Sequence, residues 1–225
     1  MIAVDLFAGP RLAPDAPTGL GQMMAGFKRS GVTPRRALDY YPTPVEATEA
    51  MLVAERAAIT GQGRIWEPCG RGGAIAKILN RHGIATIATD IVADPTNDVE
   101  AADLFTVKTP PARRVVTNMP FAVARPMIVH LWETLEVDYM ALLFKASFMN
   151  CDKAADLWRA GLGNTRRWDL SWRLDFTGGG RPVMDCAWFI WDRLDPTPHI
   201  GVLDRNGPVK PRPTLLGMNP HGGDQ

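Results

Sequence analysis

Residues 64–73 read Arg-Ile-Trp-Glu-Pro-Cys-Gly-Arg-Gly-Gly, and this stretch decides the predicted fold. The short run Arg64 to Glu67 is typical of a buried strand, and the glycines that follow permit a tight turn into a helix. We expect that helix over residues 74–82, with Gly83 just beyond its end, where a left-handed backbone is favoured. A strand, a glycine turn and a helix in this order are typical of the opening unit of a doubly wound α/β sheet.

The same alternation of strands and helices continues along the chain. Helices are predicted over residues 43–58 and 123–135, and strands over residues 84–90, 114–117 and 138–144. Two further β-rich runs lie on either side of a glycine loop at residues 177–180, which predicts an antiparallel hairpin. The predicted fold class is therefore α/β, a Rossmann-like doubly wound sheet that is mostly parallel with an antiparallel C-terminal strand pair.

Length and composition predict one domain with an appendage at each end. The chain has 225 residues, of which 46% are hydrophobic and 22% charged, as in ordinary globular proteins. Residues 1–38 are rich in Gly, Pro and Ala and are interpreted as a flexible N-terminal arm. The domain is expected over residues 39–194, followed by a Pro/Gly-rich tail over residues 195–225.

Charge and cysteine content exclude several classes of protein. The 25 basic and 24 acidic residues give a net charge of +1, which excludes binding of nucleic acid by overall charge alone but permits one basic cleft. Three cysteines without a paired spacing indicate neither a disulfide framework nor a zinc site, so no metal and a cytoplasmic location are expected. No apolar run approaches the roughly 18 residues that span a membrane, and no secretory signal is recognised. The oligomeric state stays open between a monomer and a weak dimer.

Three predicted strand ends carry polar chemistry, and such ends meet at one edge of a parallel sheet. The first is the turn from Glu67 to Gly73, where glycines let a ligand approach the backbone. By itself this is weak evidence, because any tight strand-to-helix turn favours glycine. Asp90 ends the next strand, where a carboxylate can accept both hydroxyls of a ribose, and it strengthens the case for a nucleoside cofactor. The third end is residues 117–121, Thr-Asn-Met-Pro-Phe.

The order of these motifs resembles that of a known family. The matching segments are Tyr41-Pro42-Thr43-Pro44, Glu67-Pro68-Cys69-Gly70-Arg71-Gly72, Asp90, Asp103-Leu104-Phe105 and Asn118-Met119-Pro120-Phe121. They resemble the S-adenosylmethionine-dependent amino-methyltransferases, and within these the small phage-type DNA adenine-N6 methyltransferases, over about residues 39–191. The resemblance implies S-adenosylmethionine as cofactor, DNA as partner with RNA as an alternative, and methylation of adenine N6 with relaxed or short-sequence specificity. It also implies the cytoplasm of a bacterial or phage-infected cell.

The resemblance also implies the cofactor-binding residues, which are Tyr41, Thr43, Glu67, Gly70, Gly72, Asp90, Ile91, Asp103 and Leu104. In this assignment the glycine turn with Glu67 forms the methionine side of the site, and Tyr41 and Thr43 close over it. Asp90 holds the ribose, Ile91 packs on the adenine, and the segment at Asp103 lines the polar edge of the adenine. The alternatives are that Tyr41 simply precedes a helix and that Asp103 is a solvated loop acid.

Residues 118–121 carry the implied catalysis. The exocyclic amine of adenine is a poor nucleophile because its lone pair is delocalised into the ring. The Asn118 oxygen and the Met119 carbonyl would accept its two hydrogens and aim the lone pair at the methyl group, and Phe121 would stack on the extruded base. Family members carry proline where this chain has Met119, but the required carbonyl belongs to the main chain, and Pro120 keeps Met119 extended. The alternative is a strand that ends in an ordinary Asn-X-Pro turn.

Basic residues interleaved with aromatic residues near the predicted hairpin suit contact with phosphates and unpaired bases. The candidate substrate-binding residues are Arg166, Arg167, Arg173 and Arg181. A solvated basic face above a tryptophan-rich core is the alternative.

Other functional classes remain open from the sequence. The same motif suits a methyltransferase acting on RNA or on a protein amide, and Met119 leaves open a cofactor-binding protein with little catalysis. Residues 5–10, Asp-Leu-Phe-Ala-Gly-Pro, resemble the opening motif of cytosine-C5 methyltransferases, with Cys69 as their nucleophile, although the further motifs of that class are missing.

Overall fold

A computed structural model describes residues 41–60, 63–180, 182 and 184–210. The five α-helices in this part are α1 (Val45–Ala54), α2 (Arg56–Ile59), α3 (Ala74–Arg81), α4 (Ala124–Val129) and α5 (Asp152–Arg159). The strands are β1 (Ile65–Glu67), β2 (Thr86–Asp90), β3 (Val99–Ala101), β4 (Arg114–Thr117), β5 (Tyr139–Lys145), β6 (Arg166–Leu174), β7 (Met184–Asp192), β8 (His199–Asp204) and β9 (Gly207–Pro208). The predicted N-terminal arm lies outside the described residues.

All nine strands belong to one sheet, in the order β3-β2-β1-β4-β5-β7-β6-β8-β9. Strands β1 to β5 pair in parallel with one another, whereas β7 is antiparallel to both β5 and β6. This confirms the predicted doubly wound sheet with an antiparallel C-terminal pair. The strand order reverses between β1 and β4, and in open α/β sheets a ligand crevice forms at such a reversal.

Each face of the sheet buries its own apolar core. On one face, Val116 and Leu143 pack with α1 and α3; on the other, Val115 and Leu142 pack with α4 and α5. Successive residues of β4 and β5 therefore enter opposite cores, as the two-residue period of a strand requires. The continuous apolar runs in these central strands follow from burial on both faces.

Helix ends largely follow the sequence signals. Gly83 has φ of 76°, which confirms the predicted left-handed residue after α3. Residues His130–Thr134 continue α4 as a π-helix, within the segment predicted as one α-helix. No helix among the described residues has the length and apolarity required to cross a bilayer.

The predicted tail boundary at residue 195 needs correction, because β8 and β9 extend the sheet beyond it. Strand β8 pairs in parallel with β6 and buries Leu203. At Gly201 a Cβ atom would lie 2.3 Å from Cζ3 of Trp168, so only glycine lets β8 cross this tryptophan. Prolines before β8 and in the edge strand β9 are compatible with this arrangement, since edge positions do not need every backbone N–H.

Candidate functional site

The carboxyl ends of β1, β2 and β4 meet at the reversal of strand order. Trp66 of β1 lies in register with Val115 of β4, and Glu67 lies in register with Ala88 of β2. The three strand ends that the sequence predicted to carry chemistry are therefore neighbours at one edge of the sheet. This edge is the candidate site.

The glycine turn after β1 is shaped by close packing and by left-handed backbone. A Cβ atom at Gly70 would lie 3.0 Å from Cβ of Ala88 and 3.1 Å from Cγ of Glu67, so this position has no room for a side chain. Gly72 and Gly73 have φ of 78° and 61°, a conformation that glycine adopts without strain. The turn thus presents bare backbone at the edge of the sheet.

Three residues that the sequence analysis did not identify hold this turn in place. The Asp94 carboxylate accepts hydrogen bonds from the backbone N–H of Gly72, at 3.2 Å, and from the amide of Asn97, at 2.7 Å. The Lys77 ammonium donates to the Gly72 carbonyl at 3.0 Å and to the side-chain oxygen of Asn97. The sequence signal available was the Asp94-Pro95 pair after β2, which is typical of a turn and does not indicate its tertiary partners.

Glu67 lies behind the turn rather than on its surface. Its carboxyl is 3% exposed and accepts a hydrogen bond from the backbone N–H of Ala76 at 2.7 Å. Burial raises the pKa of Glu67 to about 8; the hydrogen bonds from the start of α3 oppose this rise, and the charge of Asp90 adds to it. Glu67 therefore anchors α3 to β1 and supports the predicted methionine side of the site from beneath.

Asp90 and Ile91 form the next part of the site. The Asp90 carboxylate accepts hydrogen bonds from the backbone N–H groups of Arg71, at 3.3 Å, and Val92, at 3.1 Å. Each carboxylate oxygen has a second lone pair, so the group retains capacity for two ribose hydroxyls. Ile91 is 68% exposed, which is unusual for an isoleucine and leaves an apolar surface beside that carboxylate.

Asp103 and Leu104 lie in the loop after β3. Asp103 is exposed, and its Oδ1 accepts a hydrogen bond from the backbone N–H of Phe105 at 3.0 Å. The Leu104 side chain is buried in the core, so a ligand would meet only its main chain. A carboxylate, an exposed isoleucine and a second acid in this order suit the ribose and adenine of S-adenosylmethionine.

Asn118 is fixed by a contact with a distant part of the chain. Its side-chain Nδ2 donates to the carbonyl oxygen of Tyr41 at 3.4 Å, across 77 positions of sequence. With Nδ2 turned toward Tyr41, Oδ1 is the atom that can accept a hydrogen from a substrate. The Tyr41 ring lies 6.5 Å from that of Phe176, edge to face, so the segment before α1 is also held near the end of β6. Thr43, two residues further on, is buried.

Residues 118–121 are called the tetrapeptide below. Its other three residues divide between the core and the surface. The Met119 side chain is 1% exposed and packs among the apolar residues beneath α4. None of the hydrogen bonds in the described part of the chain uses the Met119 carbonyl. Pro120 and Phe121 are partly exposed, and the Phe121 ring lies 5.9 Å from that of Phe144, which stacks on Phe148 at 4.1 Å. The partly exposed Phe121 thus presents an aromatic surface beside Asn118.

Cys69 does not have the properties of a nucleophile. Burial, with the charges of Asp90 and Glu67, raises the pKa of its thiol far above the ordinary range. The reactive form of cysteine is the thiolate, so this environment argues against the cytosine-C5 alternative. The Asp5 to Pro10 motif on which that alternative also depended lies outside the described residues.

The predicted basic face needs one correction. Arg166 is buried, and its guanidinium pairs with the carboxylates of Glu55 and Asp192, each at 2.7 Å, so it has no access to a substrate. Arg167 pairs with Asp169 at 2.6 Å, and Arg173 pairs with Asp185 at 2.9 Å. Arg181 lies outside the described residues. Sequence alone could not separate a core arginine from a surface arginine in this segment, because the Glu55 partner is 111 positions away.

The described part of the chain contains no cluster of three or more His, Cys, Asp or Glu side chains that could hold a metal ion.

Comparison with known proteins identifies the fold. No protein-family model and no curated protein matches the sequence. Among solved structures, the chain is similar to a putative class I S-adenosylmethionine-dependent methyltransferase from Listeria monocytogenes, with 12% identity, a TM-score of 0.53, and coverage of 82% of this chain and 71% of that one. It is also similar to a putative RNA methyltransferase from Pyrococcus horikoshii, with 14% identity, a TM-score of 0.52, and coverage of 79% and 100%.

A third match is a modification subunit of a putative type I restriction enzyme from Vibrio vulnificus, with 11% identity, a TM-score of 0.47 and coverage of 74% of this chain. The chain spans about half of that subunit, 48% of its length. At these identities the likeness concerns architecture. The chain shares the Rossmann-like α/β fold of the Listeria and Pyrococcus structures.

Proposed function

We propose that this chain transfers a methyl group from S-adenosylmethionine to the N6 amine of adenine in DNA, with relaxed or short-sequence specificity. One observation carries the proposal. Asn118 to Phe121 follow β4 directly beside the glycine turn of β1, where the strand order reverses. A donor bound over the turn and an amine held by the tetrapeptide would therefore meet in one crevice.

The cofactor would lie across the ends of β1 and β2. S-adenosylmethionine supplies an electrophilic methyl group on a sulfonium centre. Asp90 would accept the ribose hydroxyls, Ile91 would pack on the adenine ring, and Asp103 with the Leu104 main chain would bind the polar edge. Gly70 and Gly72 would admit the methionine portion close to the backbone, with Tyr41 and Thr43 above it.

The target amine would be positioned by acceptors rather than by a strong base. Oδ1 of Asn118 and the carbonyl of Met119 would each take one N6 hydrogen and turn the nitrogen lone pair toward the methyl group. Both acceptors have capacity left in the structure, because Asn118 uses its Nδ2 on Tyr41 and the Met119 carbonyl has no partner among the described residues. Replacement of proline by Met119 leaves this carbonyl in the main chain.

The partly exposed ring of Phe121 would stack on the adenine. A base inside a duplex cannot reach a crevice at the edge of a sheet, so the adenine must leave the helical stack. Face-to-face contact with an aromatic ring offsets part of the stacking that the extruded base loses, and is worth about 1–3 kcal/mol per base.

The test is methyl transfer from labelled S-adenosylmethionine to duplex DNA, RNA and a protein mixture, with identification of the methylated base. We expect N6-methyladenine in DNA. Asn118→Ala should lower kcat about 100- to 1,000-fold, as removal of a transition-state hydrogen-bonding group does, with cofactor affinity unchanged. Asn206→Ala, an exposed asparagine in the turn between β8 and β9, is the matched control and should retain full activity.

The outcomes separate the alternatives. Label found only in RNA or only in protein amides would refute DNA as the substrate and identify that other class instead. Cofactor binding without transfer to any substrate would indicate a binding protein. Full activity of Asn118→Ala would refute the role of the tetrapeptide.

A further inference from the structure

Arg125 is a partly buried cation whose hydrogen-bonding capacity is largely unused. It lies in the first turn of α4, four residues after Phe121, and its guanidinium lies over the Phe148 ring, 5.0 Å from the ring centre. Nη2 donates to the Cys151 sulfur at 2.8 Å, while the buried Nε has no hydrogen-bond partner. Among the described residues, no carboxylate lies within 4.0 Å of this cation.

Lys145 is a second partly buried cation without a carboxylate partner among the described residues. It lies at the carboxyl edge of the sheet, on the face opposite that of Arg125. It ends β5, three residues beyond Leu142, which is the partner of Thr117 at the end of β4. Strand alternation directs its side chain to the face of Leu143, whereas Phe144 and the neighbouring Phe148 belong to the face of Arg125. Within the described part of the chain, the Lys145 ammonium makes neither a hydrogen bond nor an ion pair, although its backbone carbonyl accepts from the N–H of Phe148 at 2.8 Å.

These two residues differ from the arginines near the hairpin. Arg166, Arg167 and Arg173 each have a carboxylate within 2.9 Å, so their charge is already compensated inside the protein. Arg125 and Lys145 keep theirs, and they lie on opposite faces of the sheet where β4 and β5 end. Nη1 of Arg125 makes no hydrogen bond within the described part of the chain and, unlike Nε, is not fully buried, so it can donate to an anion from outside.

We propose that Arg125 and Lys145 bind the backbone phosphates on either side of the extruded adenine. This inference rests on the proposed function and names the contacts that bring the nucleic acid to the site. Arg125 offers a planar fork of donors suited to bidentate contact with phosphate, held by its cation–π contact with Phe148, while Lys145 offers a mobile point charge. The pair provides local positive charge in a chain whose net charge is only +1.

The experiment measures how DNA binding depends on salt. Binding of an adenine-containing duplex would be followed by fluorescence anisotropy between about 50 and 200 mM salt, with S-adenosylhomocysteine present, for the full-length chain. Arg125→Gln and Lys145→Gln should each reduce the slope of log K against log salt by about 0.9, and the double variant by about twice that. Affinity for S-adenosylhomocysteine should not change in either variant.

Two further variants guard against a purely structural effect. Arg81→Gln removes one positive charge from the end of α3 and should leave the slope unchanged. Among the described residues, the one ion pair of Arg81 is a 3.7 Å contact with Glu49. Arg125→Lys should keep the slope but weaken binding, because the charge remains while the fork is lost. Reduced thermal stability of Arg125→Gln with an unchanged slope would assign Arg125 to the fold and overturn the proposal.

The results also separate this inference from the proposed function. Methylation of DNA with wild-type slopes in both glutamine variants would overturn the phosphate contacts and leave the function intact. Reduced slopes in a protein that methylates no DNA would support the contacts and refute the function. Absence of DNA binding by the wild-type chain would overturn the inference.

Discussion

The polar groups of this molecule fall into two regions that use their hydrogen-bonding capacity in opposite ways. Around Arg166 the capacity is nearly exhausted: its guanidinium donates to Glu55 at 3.0 and 2.7 Å, to Asp192 at 2.7 Å and to the Asp195 carbonyl at 2.7 Å. At the carboxyl edge of the sheet, Asn118 makes one contact of 3.4 Å, and Arg125 has a buried nitrogen without a partner. Saturated networks fix a structure, whereas unsaturated groups are available to a ligand.

The saturated region ties three parts of the chain together. Glu55, at the junction of α1 and α2, also accepts hydrogen bonds from Nε1 of Trp168 at 2.7 Å and from the hydroxyl of Tyr139 at 3.3 Å. Burial and the nearby Glu55 charge raise the pKa of Tyr139, which keeps its phenol protonated as a donor. A helical segment, β5 and β6 are thereby joined at the end of the sheet opposite the candidate site, which gives the sheet a rigid base.

The largest expected effect tests the saturated side of this comparison. Arg166→Met should lower the free energy of unfolding by about 3–5 kcal/mol, because it leaves the Glu55 and Asp192 carboxylates buried without a counter-charge. Arg173→Met removes an exposed pair and should cost less than about 1 kcal/mol. Urea unfolding would measure both, and equal losses would contradict the distinction between the two regions.

A smaller loss of free energy is expected at Asp90, whose hydrogen-bonding capacity is partly unused. Asp90→Ala should weaken binding of S-adenosylmethionine roughly 10- to 100-fold, since a hydrogen bond to a charged group contributes about 1.5–3 kcal/mol. Its unfolding free energy should change much less than that of Arg166→Met, because the Asp90 bonds to the backbone measure 3.1 and 3.3 Å and lie at a partly exposed site. Calorimetric titration gives the affinity. Unchanged cofactor affinity would remove Asp90 from the site.

Glu67 is buried like the Arg166 network, although it lies at the carboxyl edge of the sheet, and its titration tests how burial acts there. Its pKa rises from 4.5 to about 8 on folding, so between these values the folded protein holds a proton that the unfolded chain has released. The stabilisation that Glu67 contributes is therefore fully present below pH 4.5 and is lost as pH rises toward 8, by up to about 1.4 kcal/mol per pH unit. Glu67→Gln should flatten this dependence, as measured by urea unfolding from pH 5 to 8. A profile as steep as that of the wild type would show that Glu67 does not titrate in this range.

Much of the architecture could be predicted because central strands carry local signals. The apolar runs of β1, β4 and β5 are buried on both faces, and Gly83 ends α3 by a backbone preference that needs no tertiary partner. Strand β8 was missed because its stability comes from pairing with β6 and from the fit of Gly201 over Trp168. The prolines around it dominated the local pattern.

For the same reason, some residues of the candidate site could be predicted from the sequence and others could not. Strand ends are local features, and those at Glu67, Asp90 and Asn118 do meet at one edge of the sheet. Other contacts join positions that are distant in sequence, and no local motif indicates them. These are the hydrogen bonds of Gly72 with Lys77 and Asp94, and the contact of Asn118 with Tyr41. Burial of Arg166 depends likewise on a partner at Glu55.

The residues on the two sides of the strand-order reversal are also separate along the sequence. Every residue assigned here to the methyl donor lies before position 106, and every residue assigned to the methyl acceptor lies after position 116. If the proposed function holds, a substitution downstream of β4 can alter the methyl acceptor while the donor residues stay unchanged.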